Sequence, residues 1–168
     1  VLLISQNGYA LRFNIEEVPV VGAKAAGVKA MNLKADDALQ AAFICNTSSF
    51  YLLTQRGSLK RVSIEEIPAT SRAKRGLQVL RELKNKPHRV FLAGAVVEQG
   101  FIGDLFSTEV EENDQTLLVQ SNKGTIYESR LQDLNLSERT SNGSFISDTI
   151  SDEEVFDAYL KEIFKEDK

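Results

Sequence analysis

Tryptophan is absent from the 168 residues, and cysteine, histidine and methionine each occur once. A single cysteine, Cys45, forms no internal disulfide, and that usage fits a reducing, cytoplasmic setting. The single histidine, His88, stands beside Pro87 in a basic stretch and reads as a solvated turn residue. With it, no His/Cys/carboxylate group reaches metal-ligand spacing, so no metal or other cofactor is expected. Glycines occur singly at turns, which excludes a Gly-rich phosphate loop. No apolar run approaches the roughly 18 residues of a spanning helix, so no membrane partner is expected. No secretory leader is expected, and because the chain opens at Val1 inside an apolar run, a trimmed product is expected.

Charge is present in both signs but unevenly placed. Residues 1–91 carry a net +7 and residues 92–168 a net −11. A basic half joined to an acidic half suggests a polyanion-facing surface followed by an acidic, solvated part.

The strongest feature is a repeat. Leu2–Pro19, LLISQNGYALRFNIEEVP, returns forty-nine positions later as Tyr51–Pro68, YLLTQRGSLKRVSIEEIP. Identities include Gln6/Gln55, Gly8/Gly57, Arg12/Arg61, Glu17/Glu66, Pro19/Pro68 and Gly27/Gly76. A weaker third copy begins near Thr116, with Gly124 and Gly143 sixty-seven positions after Gly57 and Gly76; an insertion at about Gly94–Gln115 absorbs the difference. Self-similarity at such a period marks a repeat architecture.

Each copy has one grammar. An apolar strand (Phe50–Thr54) meets a two-residue turn (Arg56-Gly57; also Asn7-Gly8 and Lys123-Gly124), and a second strand follows to Ile64. An acidic Glu-Glu-x-Pro loop leads to a Gly-led strand (Gly27–Leu33; Gly76–Leu83) and a fourth strand (Leu39–Cys45; Arg89–Val97). Four strands in about fifty residues, repeated, is the grammar of propeller blades. The expected architecture is all-β and propeller-like, with repeats at about 1–49, 50–97 and 116–150 in a domain spanning 1–150. Three blades are too few to close a propeller, which takes about four to eight, so blades cut away upstream are expected. For 151–168 the expectation is a C-terminal α-helix and acidic tail, from a capping box at Ser151–Glu154 and helical spacing of Val155, Phe156, Tyr159, Leu160 and Ile163.

No catalytic constellation stands out. Glu16-Glu17 and Glu65-Glu66 are paired carboxylates, but a catalytic pair is needed once, and these recur at one repeat position. A structural role is expected, a loop acid meeting a neighbouring Arg. The cations also recur: Arg12 with Arg61 and neighbouring Lys60 on the second strand, then Lys24 and Lys29 matched by Arg72, Lys74, Arg75 and Arg81 around the third. Stacked blades would align these as a basic stripe for a duplex, whose phosphates recur along its length. The stripe fades in the third copy, where Glu128 replaces Arg12/Arg61. The alternative is a propeller-like protein-interaction platform facing an acidic protein.

Gly8…Arg12…Glu17…Pro19, its copy Gly57…Lys60-Arg61…Glu66…Pro68 and the following SRAKRGLQVLREL together resemble the C-terminal domains of bacterial type IIA topoisomerase A subunits. The likeness covers most of residues 1–150. It sides with the topoisomerase IV branch, because gyrase carries a Gln-Arg-Arg-Gly-Gly-Lys-Gly element that Ser71–Gly76 does not match. The resemblance implies a β-pinwheel, a disc whose blades exchange strands, binding and bending double-stranded DNA on its outer rim. It implies that cleavage chemistry lies outside this chain, with the rest of the A-type polypeptide and its B-type companion as partners. Rim contacts carry over to Arg12, Lys24, Lys29, Lys60, Arg61, Arg72, Lys74, Arg75 and Arg81.

Overall fold

The structure, a computed structural model, describes residues 1–97 and 113–164; most of the expected insertion and the last four residues lie outside them. Among the described residues eleven strands appear: β1 Leu2–Ser5, β2 Tyr9–Arg12, β3 Leu39–Phe43, β4 Ser49–Thr54, β5 Ser58–Ser63, β6 Leu77–Gln78, β7 Val90–Val96, β8 Asn113–Ser121, β9 Ile126–Arg130, β10 Ser144–Phe145 and β11 Val155–Phe164. They form three antiparallel sheets, in the orders β3-β1-β2-β6, β7-β4-β5-β10 and β11-β8-β9. Among the described residues the only helical turns are short 3-10 pieces, three of them directly after the second strand of each repeat.

The hairpins of the three repeats share one construction. Gly8, Gly57 and Gly124 hold φ of +84°, +75° and +85°, and their amides donate to Ser5, Thr54 and Ser121 carbonyls at 3.0, 2.9 and 2.9 Å. Asn7, Arg56 and Lys123 keep negative φ. The turns are therefore three-residue loops ending in a left-handed glycine, rather than the two-residue kind. The hydroxyls of Ser5, Thr54 and Ser121 accept from the backbone of Tyr9, Ser58 and Thr125 at 3.1, 3.1 and 3.3 Å. That bond satisfies three hydroxyl groups that are otherwise buried.

The Gly-led segments of the second and third repeats leave their own repeat and complete the sheet before it. β6 pairs with β2, and β10 pairs with β5, so the fourth strand of a sheet belongs to the next repeat. The connection, or strap, is fastened the same way twice. Glu17 Oε2 accepts from the Arg72 amide at 2.9 Å and Glu66 Oε2 from the Arg139 amide at 2.8 Å. The Arg72 and Arg139 guanidinia in turn donate to the carbonyls of Lys29 and Gln78, both at 2.6 Å. The paired acids are thus structural, though they take the arginine's backbone rather than its charge. The strap closes on Gly76 and Gly143, at φ +86° and +75°. A Cβ at Gly76 would collide with the Ala10 carbonyl oxygen, and one at Gly143 would lie 2.5 Å from that of Leu59.

Period-two alternation then sends side chains to both faces. Leu2, Ile4 and Ala10 pack against Phe50, Leu52, Val62 and Leu80 between the first and second sheets. Tyr51, Leu53 and Leu59 meet Leu117, Val119, Leu131 and Ile150 between the second and third. Leu3, Leu11, Phe13 and Met31 form a smaller cluster on the outer face of the first sheet. Each such Leu or Phe contributes about 1.5–3 kcal/mol relative to an exposed position.

Three expectations need correction. Residues 155–164 are a strand, β11, which pairs with β8 over most of its length, so the expected C-terminal helix does not form among the described residues. The third repeat needs a strand in the place held by β3 and β7, and from Asp157 onward the apolar residues Ala158 and Leu160 alternate into the core. Gly27–Leu33 forms no strand. His88 is buried at 6% exposure rather than solvated. Arg56 donates to its Nε2 across 3.1 Å, which leaves Nδ1–H to donate to Thr54 Oγ1, also at 3.1 Å.

Two outcomes follow. Gly27 holds φ +82° like Gly76 but has no atom within 4 Å of a would-be Cβ. Gly27→Ala is expected to cost only the backbone strain of about 1 kcal/mol, and Gly76→Ala at least about 3 kcal/mol, in urea denaturation of dilute protein. His88 has its pKa lowered to about 4 by burial first and by Arg56 second. The unfolded chain therefore takes up a proton below about pH 6.5 that the folded chain refuses. Stability is expected to fall as pH drops from 6.5 toward 4, by on the order of 2–3 kcal/mol, and His88→Gln to remove that slope above the carboxylate range.

Candidate nucleic-acid interface

The straps that join the sheets also carry most of the cations. The Ala73 amide donates to Ala30 and the Asn32 amide to Lys74, both at 2.8 Å, so residues 71–75 run beside residues 29–33. This seats Lys24, Lys29 and Lys74, all exposed, on adjoining loops. Lys29 Nζ is steadied by Asn32 Oδ1 at 2.7 Å. Ala73 takes φ +63°, a left-handed step that turns the chain between Arg72 and Lys74.

Arg75 stacks on Tyr9, its guanidinium carbon 3.9 Å from the ring centroid. Such stacking holds a cation in place while leaving its outer edge free to donate. Arg75 and Arg81 share a polar depression of about 70 Å³ with Lys34 and Arg89, whose wall also holds Asp36 and Glu82. The Arg81 amide is pinned by Asn142 Oδ1 at 2.8 Å, so the strap of the third repeat fixes this end of the second. Lys34 and Arg89 do not stand out in the sequence because neither has a cation at the matching place in the other copy; only the fold brings them beside Arg75. Among the described residues, Lys24, Lys29, Lys74, Arg75 and Arg81 form no ion pair with a carboxylate, whereas Lys123 and Arg130 of the third repeat pair with Glu153 and Asp114 at 3.6 and 3.1 Å.

The remaining expected residues lie elsewhere. Lys60 is not a surface residue: it is 2% exposed, in the place of Leu11, and its ammonium donates to the carbonyls of Val79, Arg139 and Ser141. Burial pushes its pKa down to about 7, with Glu66 opposing the shift and Arg139 adding to it. Lys60 is a bolt between strands and straps, and its three protons are spent. Arg72 is half-buried and committed to the Lys29 carbonyl. Arg12 donates to the Ile64 carbonyl at 2.9 Å and Arg61 Nε to Ser49 Oγ at 2.8 Å. Both sit at the strand ends away from the glycine turns, whereas Arg75 lies against Tyr9, next to a turn. Arg12 and Arg61 are thus each engaged in a hydrogen bond within the fold, while the other candidate cations gather at residues 24–34, 74–81 and 89.

Chemically, this is a set of solvated point charges and planar donors with no convergent nucleophile, base or metal-ligating group among the described residues. It suits several phosphates at once and offers little to read a base edge.

A family model described as DNA gyrase C-terminal domain, beta-propeller matches residues 1–46 and 49–96. Over all 168 residues the chain is 90% identical to the A subunit of DNA topoisomerase 4 from Streptococcus pneumoniae (serotype 4), covering 20% of that protein. Over 149 residues, 88% of this chain, it is 43% identical to the A subunit of DNA topoisomerase 4 from Bacillus subtilis, covering 17% of that protein. The chain thus spans about a fifth of the length of these curated relatives. A crystal structure of the C-terminal domain of DNA topoisomerase IV superposes with a TM-score of 0.75 at 35% identity, over 95% of this chain and 45% of that one. A DNA gyrase A C-terminal domain superposes at 0.69 with 18% identity, over 95% of this chain and 49% of that one, a likeness of fold. The exchanged strands, the repeated Gly-Arg-Glu fastening and the matched family model lead to one placement: the chain belongs to the DNA gyrase C-terminal domain, beta-propeller family.

Proposed function

We propose that this chain is the non-catalytic DNA-binding and DNA-bending module of a topoisomerase IV-type A polypeptide. It holds duplex DNA while catalytic domains elsewhere in the parent enzyme, an isomerase of DNA topology, pass a second segment. The observation that carries this reading is the cluster of cations on the first two straps, which the fold gathers from separate loops and which form no ion pair with a carboxylate among the described residues. The partners are double-stranded DNA, the rest of the A-type polypeptide and its B-type companion, in the cytoplasm with the chromosome.

Binding proceeds by replacement of condensed counterions along the phosphate backbone, so affinity falls steeply with salt. Bending a 20–30 bp site by 40–90° costs about 1–6 kcal/mol, which a single lysine does not offset. Several contacts held in fixed relation are needed. The straps fix that relation, because Arg75 is stacked, Arg81 is pinned at its amide, and Lys29 is steadied by Asn32. Sequence preference is expected to be low, since contacts to phosphate position the protein without reading bases.

Gel-shift titrations across salt test the reading. Arg75→Glu and Arg81→Glu are expected to weaken binding to every duplex alike and to reduce the slope of log affinity against log salt by about one unit per contact. Lys60→Met, whose ammonium is internal, is expected to lower stability while leaving the salt slope unchanged. A salt-independent affinity for DNA, or a slope unmoved by both charge reversals, contradicts the proposal.

A further inference from the structure

The first and second repeats meet around a depression that both of them line. Lys34 of the first repeat and Arg75, Arg81 and Arg89 of the second surround a space of about 70 Å³, with Asp36 and Glu82 on the same wall. That is far below the roughly 300–1,000 Å³ of a pocket for a drug-sized ligand, so it suits a small ion and not a nucleoside. Four cations against two carboxylates leave the wall positive. Among the described residues none of the four forms an ion pair with either acid. His88, also on this wall, has its pKa lowered to about 4 by burial and by Arg56, so it adds no charge at neutral pH.

Each cation rides on backbone that the fold has already fixed. The Lys34 carbonyl accepts from the Asp37 amide at 3.1 Å, and Asp37 Oδ1 accepts from the Asn7 amide at 2.8 Å. The Asn7 side chain donates to the Asp36 carbonyl at 3.2 Å, so the turn at 34–37 is tied to the first hairpin. Arg75 is stacked on Tyr9, which leaves the in-plane N–H groups of its guanidinium available. Arg81 is held at its amide by Asn142. The Arg89 amide donates to Gln55 Oε1, and the Arg89 carbonyl accepts from the Gln55 amide at 3.0 Å. Little loop ordering is left for a ligand to impose, and guanidinia grip phosphate oxygens two at a time.

The second junction, between the second and third repeats, is an internal comparison. There the places of Lys34, Arg75, Arg81 and Arg89 are taken by Leu83, Asn142, Asp148 and Phe156, and that of Tyr9 by Ser58. The groove at that junction has Asp152, Glu153 and Glu154 along its wall. The same joint is thus built without the cations, and strap seating does not require them. The two acids at the first junction narrow the choice of ligand further. A carboxylate repels the phosphates on either side of a docked one, which favours one seated group over a string.

We propose that this depression is a socket for a single phosphate group, gripped by Lys34, Arg75, Arg81 and Arg89, and that a backbone phosphate of the duplex occupies it. That occupant rests on the DNA-binding reading above, whereas the affinity for phosphate does not. Exposed strap lysines attract a duplex in any register. A socket holds one phosphate and so supplies a fixed point about which the duplex curves.

Amide NMR of the 168-residue chain titrated with inorganic phosphate, at an ionic strength held constant with chloride, tests the socket. Saturable shifts are expected at residues 34–36, 75–82 and 89. Lys34→Gln and Arg89→Gln are each expected to weaken phosphate binding about tenfold, the loss of one charge-assisted contact, with unchanged circular dichroism. Lys34 is exposed, so its replacement leaves the fold intact. Lys123→Gln, in the third repeat, is expected to leave phosphate binding as it was. For the occupant, inorganic phosphate is expected to displace a short duplex more strongly than chloride at equal ionic strength, and Lys34→Gln to abolish that excess. Shifts that never saturate, or an affinity indifferent to both socket substitutions, overturn the socket while DNA binding by the straps still stands. Phosphate binding that does not compete with the duplex overturns the backbone phosphate as occupant and assigns the socket to a free phosphate compound.

Discussion

The structure depends on the seating of a glycine-led strap on the second strand of the repeat before it. The approach of Gly76 to the Ala10 carbonyl, and of Gly143 to that of Leu59, leaves no room for a side chain. The rest of the joint is arranged so that this approach occurs. Glu17 and Glu66 catch the strap by a backbone amide, Arg72 and Arg139 tie it to the Gly-led segment of the repeat before, and Lys60 fills its three donors with carbonyls from both sides of the second joint. The Arg139 and Lys60 donors are part-buried and are weakened least by solvent, whereas the bonds of Glu17, Glu66 and Arg72 lie at the surface. A repeat without its successor lacks one strand, and the array is held together by borrowing.

The same device places the charge. The straps run along the edge of the sheets, and the cations that are not consumed in fastening ride on the straps and the loops beside them. Arginines of the second strand, which recur most visibly in the sequence, are drawn into hydrogen bonds with Ile64 and Ser49. In the third repeat the strap position matching Arg75 is Asn142, whose side chain clasps the Arg81 amide. On the proposed reading, structural and polyanion-facing roles are divided between repeat-equivalent positions. The charge gradient along the chain records that division.

The repeat made most of the fold legible. The strands β1, β2, β4, β5 and β7, the turn glycines and the all-β class can be read from alternation and from the forty-nine-residue offset. The C-terminal strand was obscured because Val155, Phe156, Tyr159 and Leu160 also fit a helical stripe, and ten residues are too few for periodicity alone to decide. The repeat did hold the answer: carrying Arg89–Val97 forward by the offset between Gly76 and Gly143 lands on residues 156–164, almost the whole of β11. The site was less legible. Recurrence of a cation marks equivalence, not exposure, and Lys60 and Arg12 show how an arginine or lysine at a repeat position serves the backbone. Lys34 and Arg89 do not recur at all, and only tertiary placement joins them to Arg75 and Arg81.

Backbone amide NMR of the chain titrated with a short DNA duplex tests the central claim most directly. Shifts are expected to concentrate at residues 24–34, 74–81 and 89, lessening toward the third repeat and losing amplitude as salt is raised. Shifts centred on Arg12, Arg61 and the 3-10 turns that follow them, or on the acidic β11 sheet, would contradict it.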